Sequence, residues 1–520
     1  MCGFAGMVGK PHEGLIDSML EVMRHRGPDD RGKASNATAV IGHNRLSIID
    51  LAGGGQPITN ESGDLTLVAN GEIYNFRSLK QGLRGHRWKT GSDSEVILHL
   101  YEEVGPDCVR RLDGMFVFAI LGRGSFFLAR DPLGIKPLYY GLDESGNFCF
   151  ASEIKALVRV TRHVHEFPPG HFYHSAKGFV RYYRVPGGTQ ERTDVEGILN
   201  DLALELEAAV EKRLMADVPV GVFLSGGLDS SVIAAIASKK CGGRLKSFAV
   251  GTEGSSDLLW ARRVADYLGT DHHELVYRPG QIIDLLDTTI YNLESFDPAL
   301  VRSAVPTFLV SRLARQHVTV VLSGEGADEL FAGYHYLKRF RTPLDLHREL
   351  HRITSALHNT NLQRLDRQTM ANSIEGRVPF LDVRMVRLAM NISPKIKMGP
   401  DSEVAARWEG RTRWSNPPGR AVEKWLLRNL AERYLPTEVA WRKKEKFAIG
   451  TGTGEILENY AEKKISDEEY HFKRITPEGQ EIKSKEELLY YRIFRKYYGY
   501  ESVVREMGRS RSLNPEQMYH

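Results

Sequence analysis

Cysteine is scarce: the 520 residues hold four, at positions 2, 108, 149 and 241, with no C-x-x-C pair among them. Neither a cysteine-built zinc site nor the disulfide framework of a small secreted domain is indicated, and a reducing, intracellular setting is expected. No run of 18 apolar residues occurs, and no basic segment precedes an apolar one at the start, so neither a membrane span nor a secretory leader is expected. Charge of one sign is also lacking, with 70 Lys and Arg against 66 Asp and Glu. A net +4 alone does not decide for or against nucleic acid, but no main segment concentrates basic residues as such a surface would, and no nucleic-acid partner is expected. The basic clusters lie late, at Arg442 to Lys446 and Arg505 to Arg511, and read as solvated faces. A Walker A segment is missing as well. What remains is an ordinary soluble composition, 26% charged and 42% hydrophobic, long enough for two or three domains.

The most informative stretch runs from Val218 to Ala237. An apolar run ends in Ser225-Gly226-Gly227 and passes at once into Leu228-Asp229-Ser230-Ser231 and an alanine-rich segment, which predicts strand, tight loop and helix start in that order. Such a junction cradles phosphate, because glycines let the backbone approach an anion and the free N–H groups of the first helical turn point at it. Ser225 and Ser230 add hydroxyls, and Asp229 offers hard oxygens to a magnesium ion. The loop resembles the SGGxDS pyrophosphate loop of ATP pyrophosphatases, which cut ATP between its α and β phosphates and make an adenylate. A Gly-rich turn in a parallel sheet is the bland alternative.

At the other end, Cys2 follows Met1 directly. If Met1 is removed, the thiol shares its residue with a free α-amine whose pKa near 8 suits it to act as general base for its own side chain. Gly42-His43-Asn44-Arg45-Leu46-Ser47-Ile48-Ile49-Asp50, Ala69-Asn70-Gly71-Glu72-Ile73-Tyr74-Asn75 and Thr90-Gly91-Ser92-Asp93-Ser94-Glu95 accompany it. This set resembles the class II glutamine amidotransferase domain, an N-terminal-nucleophile hydrolase of αββα sandwich fold, from Cys2 to Lys155. The resemblance implies that Cys2 attacks glutamine, and that Asn70 and the Gly71 N–H hold the oxyanion. It further implies that Arg45 and Asp93 grip the substrate's carboxylate and ammonium groups, and that the backbone of Arg45, Leu46, Ser47, Ile48 and Ile49, with Glu72, completes the pocket. Met115 to Leu121, Ser125 to Arg130 and Leu138 to Tyr140 read as strands. Arg130 to Tyr140 reads as a Pro- and Gly-rich corner near the domain interface, and Thr189 to Asp194 as a polar linker. The expected division is residues 1–186 and 195–520.

Beyond the linker, Ile198, Leu199, Leu202, Leu206, Val210 and Leu214 recur at helical spacing, and strand and helix patterns alternate through Ser247 to Val250, Ala261 to Leu268 and His317 to Ser323. This predicts an α/β doubly wound parallel sheet with ligands at the carboxyl ends of its strands. Leu322-Ser323-Gly324-Glu325-Gly326-Ala327-Asp328-Glu329 repeats the strand, Ser-Gly, acidic-helix logic and makes Asp328 a second candidate magnesium ligand beside Asp229. With Asp366-Arg367 to Asp382 and Trp441 to Phe447, the motifs occur in the order found in glutamine-hydrolysing asparagine synthetases, and the chain resembles that family over nearly all of residues 1 to 450. The resemblance implies a β-aspartyl adenylate made from L-aspartate and ATP, then attacked by ammonia passed from L-glutamine in the other domain. It assigns Leu224, Ser225, Gly226, Gly227, Asp229, Ser230, Val250, Ser323 and Gly324 to ATP. Glu325 falls to adenylate and ammonium chemistry and Lys444 to charge on phosphorus. A cytoplasmic homodimer is the family expectation. Glu294, Phe296, Asp297, Pro298 and Arg302 are expected near the acceptor, and residues 452 to 520 are expected to be helical packing with a loose tail. Two other readings stay open: a relative that amidates a different carboxylate, and a non-catalytic paralogue that senses glutamine or ATP.

Overall fold

The computed structural model describes residues 2–188, 192–399, 421–445 and 447–509. Met1, part of the linker at 189–191, Lys446 and the tail from 510 fall outside the described residues.

Two six-stranded antiparallel sheets form the N-terminal half. In spatial order the first is His165–Glu166, Tyr139–Leu142, Phe148–Ala151, Gly3–Val8, Ala39–Arg45 and Asp30–Asn36, and the second is Gly178–Arg181, His171–His174, Ser125–Arg130, Gly114–Gly122, Thr66–Ile73 and Ile58–Thr59. Side chains alternate between the faces of a strand, so one sequence feeds two cores. Phe4, Ile41 and Phe150 meet Val68, Val117 and Leu128 between the sheets. Ala5, Met7 and Val40 point outward against Ile16, Met19 and Leu20 of the helix Glu13–Val22. On the opposite outer face Ala69, Phe116 and Phe118 cover Val96, Ile97 and Leu100 of the helix Glu95–Val104. The result is the expected αββα sandwich.

The C-terminal half is built on a five-stranded parallel sheet in the order Asp271–Val276, Lys246–Gly251, Val220–Phe223, Val320–Leu322, Glu375–Arg377. Val222, Leu224 and Leu322 pack against the helices Val195–Arg213 and Leu228–Lys240, and Phe248, Val250 and Val321 against Pro298–Arg315. Helices on both faces bury the sheet twice, which is why the inner strands Val220–Phe223 and Val320–Leu322 read as continuous apolar runs, while the outer strands Asp271–Val276 and Glu375–Arg377 carry polar residues. Residues 453–506 add four helices, Thr453–Lys464, Asp467–Phe472, Lys485–Tyr498 and Glu501–Glu506. Leu457, Leu488, Phe494 and Val503 tie three of them into the same core, and Asp467–Phe472 meets it only through the partly buried Tyr470.

Candidate active sites

Cys2 sits just ahead of the first buried strand, its thiol 4.0 Å from the Leu46 carbonyl oxygen and its backbone nitrogen donating to Asn70 Oδ1 at 2.9 Å. Burial pushes the thiol pKa up. Asn70, Gly71 and Glu72 lie on Thr66–Ile73, and Asn70 Nδ2 is buried with no hydrogen-bond partner. Gly71 has φ +144°, and a Cβ there would stand 1.9 Å from the Met115 carbonyl oxygen on the neighbouring strand, so only glycine fits.

Arg45 ends its strand and folds its guanidinium over the following loop, donating from Nη1 to Leu51 O at 3.1 Å and from Nη2 to Asp50 O at 2.6 Å and Ile49 O at 3.3 Å. Asp50 passes the connection on, because its Oδ2 accepts the Gly91 N–H at 2.7 Å, two residues before Asp93. Asp93 Oδ2 in turn accepts the Ile73 N–H at 2.7 Å. Hydrogen bonds and the backbone between them thus connect Leu46, Arg45, Asp93 and Asn70 around Cys2. Burial raises the Asp93 carboxyl to about 6. Ser47 and Ile48 complete the wall, the Ser47 N–H donating to Asp29 Oδ2 at 2.8 Å and the Ile48 carbonyl accepting from Asp217 N at 2.9 Å.

Sequence reasoning missed Arg26 and Asp50. Arg26 is fully buried and donates from Nε to the Cys2 carbonyl at 3.1 Å, while its Nη1 pairs with Glu153 at 2.7 Å and Asp366 at 2.8 Å. Asp366 lies 340 residues away in sequence, so the segment that carries Cys2 is held from the other half of the chain.

The second site occupies the carboxyl ends of the central strands. Gly226 has φ +66°, and a Cβ there would lie 2.3 Å from the Trp260 backbone carbon. Gly227 caps the helix that begins at Leu228, and Ser225 Oγ and Ser230 Oγ are 3.2 Å apart across the turn. Leu224 donates its N–H to Phe248 O at 2.8 Å, which brings the loop beside Val250. On the next strand end Ser323 is mostly buried, and Gly324 approaches so closely that a Cβ on it would meet the Asp229 Cβ at 2.8 Å. The two Ser-Gly loops therefore touch.

Between them Lys424 Nζ lies 2.5 Å from Asp229 Oδ2 and 2.5 Å from Asp328 Oδ1. Lys444 Nζ also bonds Asp328 Oδ1. Burial would raise the Asp328 carboxyl, but the two ammonium groups overcome it and hold it low, while burial lowers the Lys444 pKa. Asp229 Oδ1 is buried without a partner, an oxygen suited to a hard cation. Glu325 bonds Arg364 Nη2, yet burial keeps its carboxyl above the usual range. Arg442 donates to Ser225 O at 3.1 Å and pairs with Asp257 at 2.9 Å. Lys424 carried no motif in the sequence and was not anticipated.

Residues expected near the acceptor make bonds within the fold. Glu294 is fully buried and accepts from Ile154 N and Lys155 N at 3.0 and 2.8 Å, Asp297 caps its helix through Leu300 N at 3.0 Å, and Arg302 pairs with Glu486. All three are already committed to structural partners.

Arg377 joins the two sites. Its carbonyl oxygen accepts the Ser323 N–H at 2.8 Å, and its guanidinium reaches Glu72 Oε2 at 3.2 Å and Glu375 Oε1 at 2.6 Å.

Residues 1–182 match the family described as a glutamine amidotransferase domain, and residues 201–343 and 338–515 match the family described as asparagine synthase. Asparagine synthetase 3 (glutamine-hydrolyzing) of Arabidopsis thaliana is 38% identical over 525 residues, an alignment that covers 96% of this chain and 88% of the relative. Asparagine synthetase B (glutamine-hydrolyzing) of Escherichia coli strain K12 is 40% identical over 502 residues, covering 92% and 87%. With both halves matched and the relatives aligned almost end to end, the chain belongs to the asparagine synthase family.

Proposed function

We propose that this chain is a glutamine-dependent asparagine synthetase, a carbon–nitrogen ligase, in which residues 1–186 release ammonia from glutamine and residues 195–520 activate aspartate with ATP. The observation that carries this reading is that one chain matches both families and gathers Cys2 with Asn70 in one half and Asp229 with Asp328 in the other, the two clusters linked through Arg377.

In the first, the Cys2 thiolate attacks the side-chain amide carbon of glutamine once Met1 has been removed. The Cys2 amine takes the thiol proton and passes it to the departing ammonia. Asn70 Nδ2 and the Gly71 N–H receive the negative charge that develops on oxygen. The lone Nδ2 suits this, because it has no bond to give up before the charge appears. Asp93 holds the substrate ammonium. Arg45 binds its carboxylate and keeps the loop in place. Water then hydrolyses the thioester and releases glutamate.

In the second site, the Ser225 to Ser230 cradle and the Ser323-Gly324 loop hold ATP beside Leu224 and Val250. The aspartate β-carboxylate attacks the α-phosphorus and pyrophosphate leaves. Lys424 and Lys444 balance Asp229 and Asp328 and offer positive charge to the phosphates of a bound nucleotide. Asp229 and Asp328 would hold a magnesium ion, which supplies charge neutralisation to the pyrophosphate. The Glu325 carboxylate, whose proton affinity burial raises, takes the proton that the attacking nitrogen must lose. Ammonia attacks the acyl carbon and AMP leaves. A cytoplasmic homodimer goes with this reading.

The test is a reaction mixture of glutamine, aspartate, ATP and magnesium, with asparagine, AMP and pyrophosphate measured together. Equimolar appearance of all three supports the proposal. AMP formed only with another acid would favour a different acceptor, and no turnover at all would favour a sensor.

A further inference from the structure

Four side chains that serve neither site converge at one outer edge of the glutaminase half. Glu61, His86, His99 and Glu102 each offer a ligand atom within 4.8 Å of the others. Glu61 follows the short strand Ile58–Thr59, and His86 lies in the connection after the helix Phe76–Gly82. His99 and Glu102, three residues apart, share one face of the helix Glu95–Val104.

The orientation of the rings is informative. His99 Nδ1 lies 2.8 Å from Glu102 Oε2 and 3.5 Å from Glu61 Oε2. His86 Nδ1 lies 3.2 Å from Glu61 Oε1 and 3.5 Å from Glu102 Oε2. The other nitrogen of each ring faces an outer carboxylate: His99 Nε2 meets Glu95 Oε1 at 3.4 Å, and His86 Nε2 meets Glu103 Oε1 at 3.2 Å. A carboxylate behind each imidazole suits the tautomer in which Nε2 carries the proton and Nδ1 turns its lone pair inward. Asn60 Nδ2 likewise fixes Glu102 through Oε1 at 2.7 Å. In that tautomer four acceptor groups face one another, and a bound cation would reconcile them.

We propose that these four residues form a structural site for a divalent metal ion of the zinc class. Two imidazole nitrogens and two carboxylates suit zinc, and ligands about 2.0–2.1 Å from a tetrahedral zinc stand roughly 3.3–3.5 Å apart. Of the four imidazole–carboxylate separations, those of 3.2, 3.5 and 3.5 Å lie near that spacing. His99 is fully buried while the Glu61 side chain is 32% exposed, which leaves the ion a way in. The scarcity of cysteine speaks only to thiolate sites and leaves this one open. Glu95 also accepts the Lys89 and Thr90 N–H groups, each at 2.7 Å, so an ion bound here would brace the loop that leads to Asp93.

The full chain, stripped with a chelator, is titrated with Zn2+ against a chromophoric competitor, with Mg2+ and Ca2+ in parallel, and its melting temperature is followed. The expected result is one zinc per chain, a rise in melting temperature, and little response to Mg2+ or Ca2+. His86→Ala, at the rim, should weaken zinc by more than a hundredfold, and Glu103→Gln, behind His86, by about 10–100-fold. Failure of the folded chain to take up one equivalent of zinc would overturn the proposal. So would unchanged uptake in both variants, which would leave the cluster as protonated histidines paired with carboxylates.

Discussion

The backbone nitrogen of Cys2 donates to Asn70 Oδ1 at 2.9 Å, while Nδ2 of the same amide is buried with no partner. One side chain therefore orients the residue that attacks and keeps a donor in reserve for the charge the attack creates.

Replacing that donor tests the arrangement. Asn70→Ala should lower glutamine hydrolysis about 10²–10³-fold in kcat, the usual cost of losing one preorganised oxyanion donor. Synthesis from ammonium salts should hold near its original rate. Steady-state glutaminase and ammonium-dependent assays on the same preparation check it, and a comparable fall in both would contradict the assignment.

Asp93 predicts a pH dependence. Its carboxyl must be ionised to bind the glutamine ammonium group, and burial raises it to about 6. Above that value the anion dominates and binding is insensitive to pH. Below it a proton competes, so the glutamine KM should rise about tenfold per pH unit. Asp93→Asn should raise KM throughout and flatten the profile between pH 5 and 7. A KM that stays level down to pH 5 in the parent chain would count against the role given to Asp93.

Lys424 stands between Asp229 and Asp328. Lys424→Met should depress aspartate-dependent exchange of labelled pyrophosphate into ATP by at least about a hundredfold, on the scale of removing a charge that stabilises a transferring phosphoryl group. Glutaminase activity should survive, which shows that the variant has folded. Undiminished exchange would remove Lys424 from the nucleotide site.

The parts of this molecule that the sequence made legible are contiguous. The Ser225 to Ser231 cradle and the Ser323 to Glu329 loop each place their chemistry on one strand end, where a short pattern dictates strand, turn and helix, and Asn70-Gly71 lies within the single strand Thr66–Ile73. The αββα and parallel-sheet classes were legible for a related reason, since one comes from strands joined by tight turns and the other from strands alternating with helices. Residues recruited across the fold left no such trace. Arg26 reaches Asp366 from 340 positions away, and Lys424 belongs to no pattern of spacing. Glu61, His86 and His99 gather from three segments. Only folding brings such groups together, and a lone lysine or histidine reads in sequence as a solvated side chain.

The division of labour between the halves is tested most directly by Cys2→Ala, assayed for asparagine with glutamine and, separately, with ammonium chloride as nitrogen source. The account predicts no synthesis from glutamine and undiminished synthesis from ammonium, with AMP matching asparagine. Retention of glutamine-dependent synthesis, or loss of both activities in a folded variant, would contradict it.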